Sequence, residues 1–330
     1  MKIKYLYTDF FDWKFILSIL ISLLFSFYAF RNFELSKLYN IIGEINFAYI
    51  FLAIFFLMFS VYIRALRWQL LFKHNKPSIS KLFGSQLIGY FGNNIFPLRA
   101  GELLRCVFLS RYYEITKSSI FGTVILERVL DVFGMIFLFT LLFFTDFKVN
   151  FDIYAKVVLI LLFLIIVSIF LYKKQFLYKG NNKILSIINN TINGFKGLSH
   201  KNILPITLYT ILIWFFYVIM VYLVQYSITL NLSVSECIFI LFISSLVLSI
   251  PSAPANIGTF EAGVIYAMGI IGSSLYQLEF AIILHMVTFF PYVIVGGLFF
   301  IYYNYELLDW VKEDSDNADQ SPGDRETKEI

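Results

Sequence analysis

From Phe15 to Tyr303 the chain is dominated by long apolar runs, several of about 20 residues, the length at which a helix spans the hydrocarbon of a bilayer. In lipid the backbone must satisfy its own polar groups, which leaves helices and closed barrels. A barrel needs alternating segments of about 10 residues, whereas these runs are continuous, so an all-α polytopic membrane protein is expected. Composition agrees: 59% of residues are hydrophobic and only 15% charged, too apolar for a soluble domain. The first run, Phe15–Phe30, leads into Arg31-Asn32-Phe33-Glu34 rather than a small-residue cleavage site, and reads as a retained membrane helix. No Walker A loop, paired-histidine metal motif or dinucleotide glycine fingerprint occurs. No metal, cofactor or nucleic acid is therefore expected, and Cys106 and Cys237, far apart in apolar surroundings, read as packing residues.

Two polar stretches break this pattern, Gly92–Arg105 (GNNIFPLRAGELLR) and Pro251–Glu261 (PSAPANIGTFE). Each contains a proline followed four residues later by glycine, Pro97/Gly101 and Pro254/Gly258, and these residues with Pro251 are the expected hinges. Charge bias orients them. Lysines at 2, 4 and 14 put the N-terminus in the cytoplasm, and helix two, about Phe47–Trp68, returns inside to Lys73, His74, Lys76 and Lys81. Residues 82–109 are bounded by basic residues on both sides, so a re-entrant hairpin from the cytoplasm is expected there. Helix three, Ser118–Thr145, runs out and helix four, Tyr154–Tyr172, runs in. A lysine-bearing segment, 173–202, reads as an amphipathic helix on the cytoplasmic surface. Helix five, Ile203–Tyr226, leads to a lysine-free linker, and the short pieces Cys237–Ile250 and Thr259–Ile271 read as an external re-entrant hairpin, 237–271. Helix six, Phe280–Tyr303, returns inside.

Residues 1–145 and 146–304 thus read as inverted repeats of three transmembrane helices plus one re-entrant hairpin each, with 305–330 a disordered acidic cytoplasmic tail. Four spanning helices in place of the hairpins is the structural alternative. Paired Pro/Gly-broken short segments point to a transporter site near the midplane. A cell (inner) membrane location with both termini cytoplasmic follows.

Charges inside membrane segments are costly and normally functional. Arg64 and Arg67 share a helix face beside Trp68, either as interfacial anchors or as a phosphate-gripping pair. Arg99, Glu102 and Arg105 lie in and just beyond the first hinge, where Asn93 and Asn94 add donors and acceptors. Glu127, Arg128 and Asp131 form an ERVLD cluster, with Glu127 and Asp131 on one face. They read either as helix-pinning ion pairs, or as partners of Arg99 or Arg105, or as proton carriers. At the second hinge Asn256 and Glu261 repeat the chemistry more sparsely, and His285 inside helix six reads either as a satisfied core residue or as a ligand.

Together R-x-x-R-W at Arg64–Trp68, N-x-x-P-x-R-x-G-E-x-x-R at Asn94–Arg105, E-R-x-x-D at Glu127–Asp131 and P-x-x-x-G-x-x-E at Pro254–Glu261 resemble the flippase-like transmembrane domain family. That family includes the membrane region of lysylphosphatidylglycerol synthases. The resemblance covers about Phe15–Tyr303 and implies movement of anionic or modified phospholipids, or of lipid-linked intermediates, between leaflets. It assigns Arg64, Arg67, Asn94, Arg99, Glu102, Arg105, Glu127, Arg128, Asp131 and Glu261 to the polar core. The soluble aminoacyl-transfer domain of the synthases is missing, and Pro-Ala-Asn-Ile-Gly stands where a glycine-richer turn is usual. A lipid translocase is the function expected, with membrane lipids as partners. The alternatives are an intramembrane enzyme acting on a polyprenyl phosphate or phospholipid headgroup, and a non-transporting subunit that partners lipid- or glycan-pathway enzymes.

Overall fold

The computed structural model describes residues 13–31, 34–73, 76–96, 100–145, 147, 191, 198, 200–249 and 252–319. Every regular element among them is helical. In chain order these are α1 (Trp13–Phe30), α2 (Leu35–Glu44), α3 (Phe47–Leu70), α4 (Ile79–Ile95) and α5 (Gly101–Tyr112), then α6 (Lys117–Leu141), α7 (His200–Ser227), α8 (Val234–Leu248), α9 (Thr259–Ile270) and α10 (Gln277–Asp319). Short 3₁₀ turns follow α6 at Leu142–Phe144 and precede α9 at Pro254–Asn256. Local chemistry starts several helices where the sequence places a capping residue. Asn46 accepts from the Ala48 amide at 3.1 Å, Thr116 from the Ser119 amide at 3.3 Å, and Ser233 and Glu236 form a reciprocal capping box.

Three stretches, Phe47–Leu70, Lys201–Ser227 and Gln277–Tyr303, are long and apolar enough to cross a membrane. The core that packs them mixes aliphatic and aromatic side chains, and Trp68, Phe139, Phe239, Phe242 and Phe280 are fully buried within it. Outward-facing Phe27, Phe51, Phe144 and Leu204 are largely exposed, a costly arrangement in water but the ordinary one against acyl chains. Helix α3 lies along α7, and α10 lies along both α4 and α9.

The two breaks in the sequence separate two pairs of short helices, α4 with α5 and α8 with α9, each pair packed on itself. At 1.5 Å per residue these helices are about 18–26 Å long, short of the roughly 30 Å hydrocarbon core. Glycine brings the first pair together: a Cβ on Gly101 would overlap the Gly89 carbonyl, and one on Gly92 would stand 2.7 Å from the Gly101 Cα. The second break packs on α1, where Ser22 Oγ accepts from the Ala253 amide at 2.9 Å. There Gly258 adopts φ +82°, and a Cβ would meet the Ser26 amide nitrogen at 2.7 Å. Helix α4 also touches the Pro254–Asn256 turn, so the first hairpin and the second break are neighbours.

Two elements differ from the sequence reading. The stretch between the first two expected membrane helices contains α2, in which Ile41 is buried against the main core while Tyr39 and Ile42 face outward. A ten-residue helix of this kind is held by tertiary packing rather than by its own propensity. The last helix also continues to Asp319, past the point where a disordered tail was expected. Good helix formers such as Glu306, Leu307 and Leu308 carry it on, and the first breaker is Pro322. Helix four at Tyr154–Tyr172 lies outside the described residues, as does segment 173–202 apart from Thr191, Leu198 and residues 200–202. So do Pro97, Arg99 and Pro251.

Candidate functional site: a buried network of arginines and carboxylates

Helices α3, α5 and α6 each turn a charged face inward, and those faces meet. Asp131 on α6 receives both arginines of α3, Arg64 Nη1 on Oδ2 at 2.7 Å and Arg67 Nη2 on Oδ1 at 2.7 Å. Glu127, one turn earlier, accepts from Arg105 Nη1 of α5 at 2.7 Å and from Gln86 Nε2 of α4 at 2.9 Å. Arg67 Nη2 lies 3.8 Å from the same carboxylate. Glu102 is paired with Arg105 Nη2 at 2.7 Å and with Arg128 Nη2. Arg128 closes the circuit on Asp131 at 3.3 Å. Neutral groups complete it: Thr210 and Tyr217 of α7 accept from Arg67 and Arg64 at 3.1 and 3.3 Å, and the Arg105 guanidinium lies over the Trp68 ring, 4.8 Å from its centre.

Burial on this scale requires pairing. Arg67 is 0% exposed, Arg105 2% and Glu127 0%, and an unpaired ion at such a site costs several kcal/mol. The network nevertheless holds four guanidinium groups against three carboxylates, leaving one positive charge in excess among the described residues. Donors are also in surplus, because Arg64 Nε, Arg67 Nε, Arg105 Nε and the Tyr90 hydroxyl have no hydrogen-bond partner among the described residues. Arg128 is the open member: its side chain is 43% exposed, against 18% or less for the other six. The arrangement is chemically suited to receiving an anion at Arg128.

A second cluster sits at the second break. Glu261, in the first turn of α9, accepts from the Gly258 amide at 2.8 Å and lies 2.6 Å from His285 Nδ1 of α10. His285 Nε2 lies 2.9 Å from the Ala255 carbonyl oxygen. Asn256 Oδ1 accepts from Ser252 Oγ at 2.9 Å. Ala255 and Asn256 have φ of +60° and +58°, a left-handed conformation that costs a residue with a Cβ about 1–2 kcal/mol. These contacts hold a turn in which two non-glycine residues adopt that conformation. A cavity of about 640 Å³ opens nearby between α1, α9 and α10, lined in part by Tyr28, Arg31, Tyr266 and Glu279.

Of the candidate residues, seven converge: Arg64, Arg67, Glu102, Arg105, Glu127, Arg128 and Asp131. Arg64 and Arg67 are buried and ion-paired, which is not the geometry of an interfacial anchor. Glu127 pairs with Arg105, one of the partners considered from sequence. Asn93 and Asn94 stand at the end of α4. Asn94 Nδ2 donates to the Tyr90 carbonyl at 2.9 Å, while Asn93 Oδ1 is buried without a partner among the described residues. Asn256, Glu261 and His285 form the separate second cluster. Gln86, Thr210, Tyr217 and Trp68 were not singled out as members of the network. Gln86 had a visible signal, a lone amide within an apolar stretch, whereas Thr210 and Tyr217 are ordinary residues of an apolar helix.

These features define a multi-helix membrane protein whose interior carries a paired, net cationic polar network. More particularly, the chain belongs to the family described as the lysylphosphatidylglycerol synthase TM region, whose model matches residues 15–296. It is 28% identical over 219 residues to the UPF0104 membrane protein MJ1078 of Methanocaldococcus jannaschii, covering 64% of this chain and 93% of that one. A second protein of that organism, UPF0104 membrane protein MJ1595, is 34% identical over 129 residues, 38% of either chain. A UPF0104 membrane protein of Methanothermobacter thermautotrophicus is 26% identical over 247 residues, 64% of this chain and 70% of its own. No solved structure matches the chain.

Proposed function

We propose that this protein moves a lipid with an anionic or phosphate-containing headgroup between the leaflets of the cell membrane. The reading is carried by one observation, the half-exposed Arg128 at the open edge of a buried network with excess positive charge and unpartnered donors. An anionic headgroup at Arg128 supplies the missing negative charge while the acyl or prenyl chains stay in lipid. Membership of a family described by a lipid-modifying synthase's membrane region supports a lipid substrate. In this reading residues 1–145 and 146–304 are inverted halves, the pairs α4–α5 and α8–α9 enter the membrane as re-entrant hairpins from opposite sides, and both termini are cytoplasmic. Rocking of the halves alternates access to the network.

The test is a leaflet-resolved assay in proteoliposomes with a fluorescent anionic phospholipid, followed by mass analysis of the recovered lipid. Faster movement than in empty vesicles, with the lipid chemically unchanged, is the expected result. Movement no faster than in empty vesicles overturns the proposal, and a chemically altered headgroup would make the protein an enzyme instead.

A further inference from the structure

The contacts of His285 require a proton count. Its Nε2 faces the Ala255 carbonyl, which accepts only, so Nε2 carries a hydrogen. Its Nδ1 faces Glu261 Oε1 at 2.6 Å. The other oxygen, Oε2, already accepts from the Gly258 amide. A carboxylate and a bare imidazole nitrogen are both acceptors and repel at that distance, so one proton must lie between them, on either atom. The pair is therefore a one-proton site. Glu261 is 4% exposed and Phe260 packs over the imidazole at 4.8 Å between ring centres, so water cannot readily take the proton's place. His285 itself keeps 12% of its side chain exposed, which allows exchange.

Position gives the proton its consequence. Through Gly258 and Ala255 the pair grips the strained stretch 255–258 that leads into α9, and it ties that stretch to α10. Among the described residues, no other charged group makes a hydrogen bond or ion pair with the pair. The titratable groups on the elements around it are engaged or turned elsewhere: Tyr28 of α1 lies under Arg31, Tyr90 of α4 stacks on Tyr292 of α10, the Glu236 carboxylate accepts from Ser233 at the start of α8, and Tyr266 and Glu279 line the cavity by α1.

We propose that Glu261 and His285 form a proton-binding site that locks the second turn, and that loss of this proton to water frees the turn to move. As a step in a transport cycle this rests on the translocase reading; as a lock on the turn it does not. Hydrogen exchange of the full chain in nanodiscs, corrected for the intrinsic pH dependence of exchange, tests it without any lipid movement. In wild type, protection of amides 252–262 should fall by on the order of tenfold when the buffer is taken from acidic to alkaline pH and the pair gives up its proton.

Two variants separate the proton from the packing. In Glu261→Gln the amide can donate to Nδ1 of a neutral imidazole while its carbonyl keeps the Gly258 bond, so protection should stay high at every pH. In His285→Phe the ring volume remains but the grip is gone, and protection should be low throughout. Wild-type protection that ignores pH, or a Glu261→Gln profile that follows wild type, overturns the proposal. Failure of lipid flux with the pH-dependent lock intact would count against the translocase alone.

Discussion

Glu127→Gln is the perturbation that most sharply probes the interior network. Glu127 is 0% exposed and faces Arg105 at 2.7 Å, with Arg67 at 3.8 Å. Neutralising it keeps the shape but leaves two guanidinium groups that are themselves 2% and 0% exposed, one of them now dependent on Glu102 and the other on Asp131. Breaking a buried pair in this way costs about 3–5 kcal/mol, so the folding equilibrium constant should drop by about a hundredfold to a few thousandfold. Equilibrium denaturation in detergent micelles reads this directly. The double variant Glu127→Leu/Arg105→Met removes both charges and should be less destabilised than the sum of its single changes by about 1–3 kcal/mol. A Glu127→Gln protein within about 0.5 kcal/mol of wild type, or additive single changes, would refute the view that the network is held by mutual neutralisation.

Arg128→Gln should behave differently, because its side chain is 43% exposed. Stability should change by less than about 1 kcal/mol, while flux of an anionic lipid falls about tenfold or more with the loss of one charge-assisted contact. Gly101→Ala should weaken the α4–α5 pair by about 1–3 kcal/mol or more, since the added methyl overlaps the Gly89 carbonyl; thermal unfolding checks this. Trp68→Phe removes the hydrogen bond to Thr123 at 2.8 Å and weakens the contact over Arg105. It should cost about 1–2 kcal/mol in the same measurement.

Much of the architecture was legible because lipid imposes severe rules. Continuous apolar runs marked the helices, and charges as expensive as Arg105, Glu127 and Asp131 announced themselves by lying within such runs. Gly101 and Gly258 marked the two places where backbones come too close, or turn too sharply, for a side chain. What remained hidden was mostly non-local. Nothing in the sequence states that Arg64 and Arg67 converge on Asp131, 67 and 64 residues away, or that Gln86 bridges Arg105 and Glu127. His285 and Glu261 were each noticed alone, but their pairing depends on how α10 packs on α9. Helix α2 escaped because its ten residues are too few to span a bilayer, and its amphipathic spacing, Leu35, Leu38, Ile41 and Ile42, becomes a helix only when Ile41 finds the core.

In the proposed function, Arg128 presents the network's excess positive charge to a lipid headgroup. The most direct test of this role compares flux of two phospholipids with identical acyl chains, one with an anionic phosphatidylglycerol headgroup and one with zwitterionic phosphatidylcholine, in vesicles of wild type and Arg128→Gln. The wild-type protein should move the anionic lipid faster, and the substitution should erase that preference. Equal rates for both lipids in wild type, or a preference that survives the loss of Arg128, would contradict it.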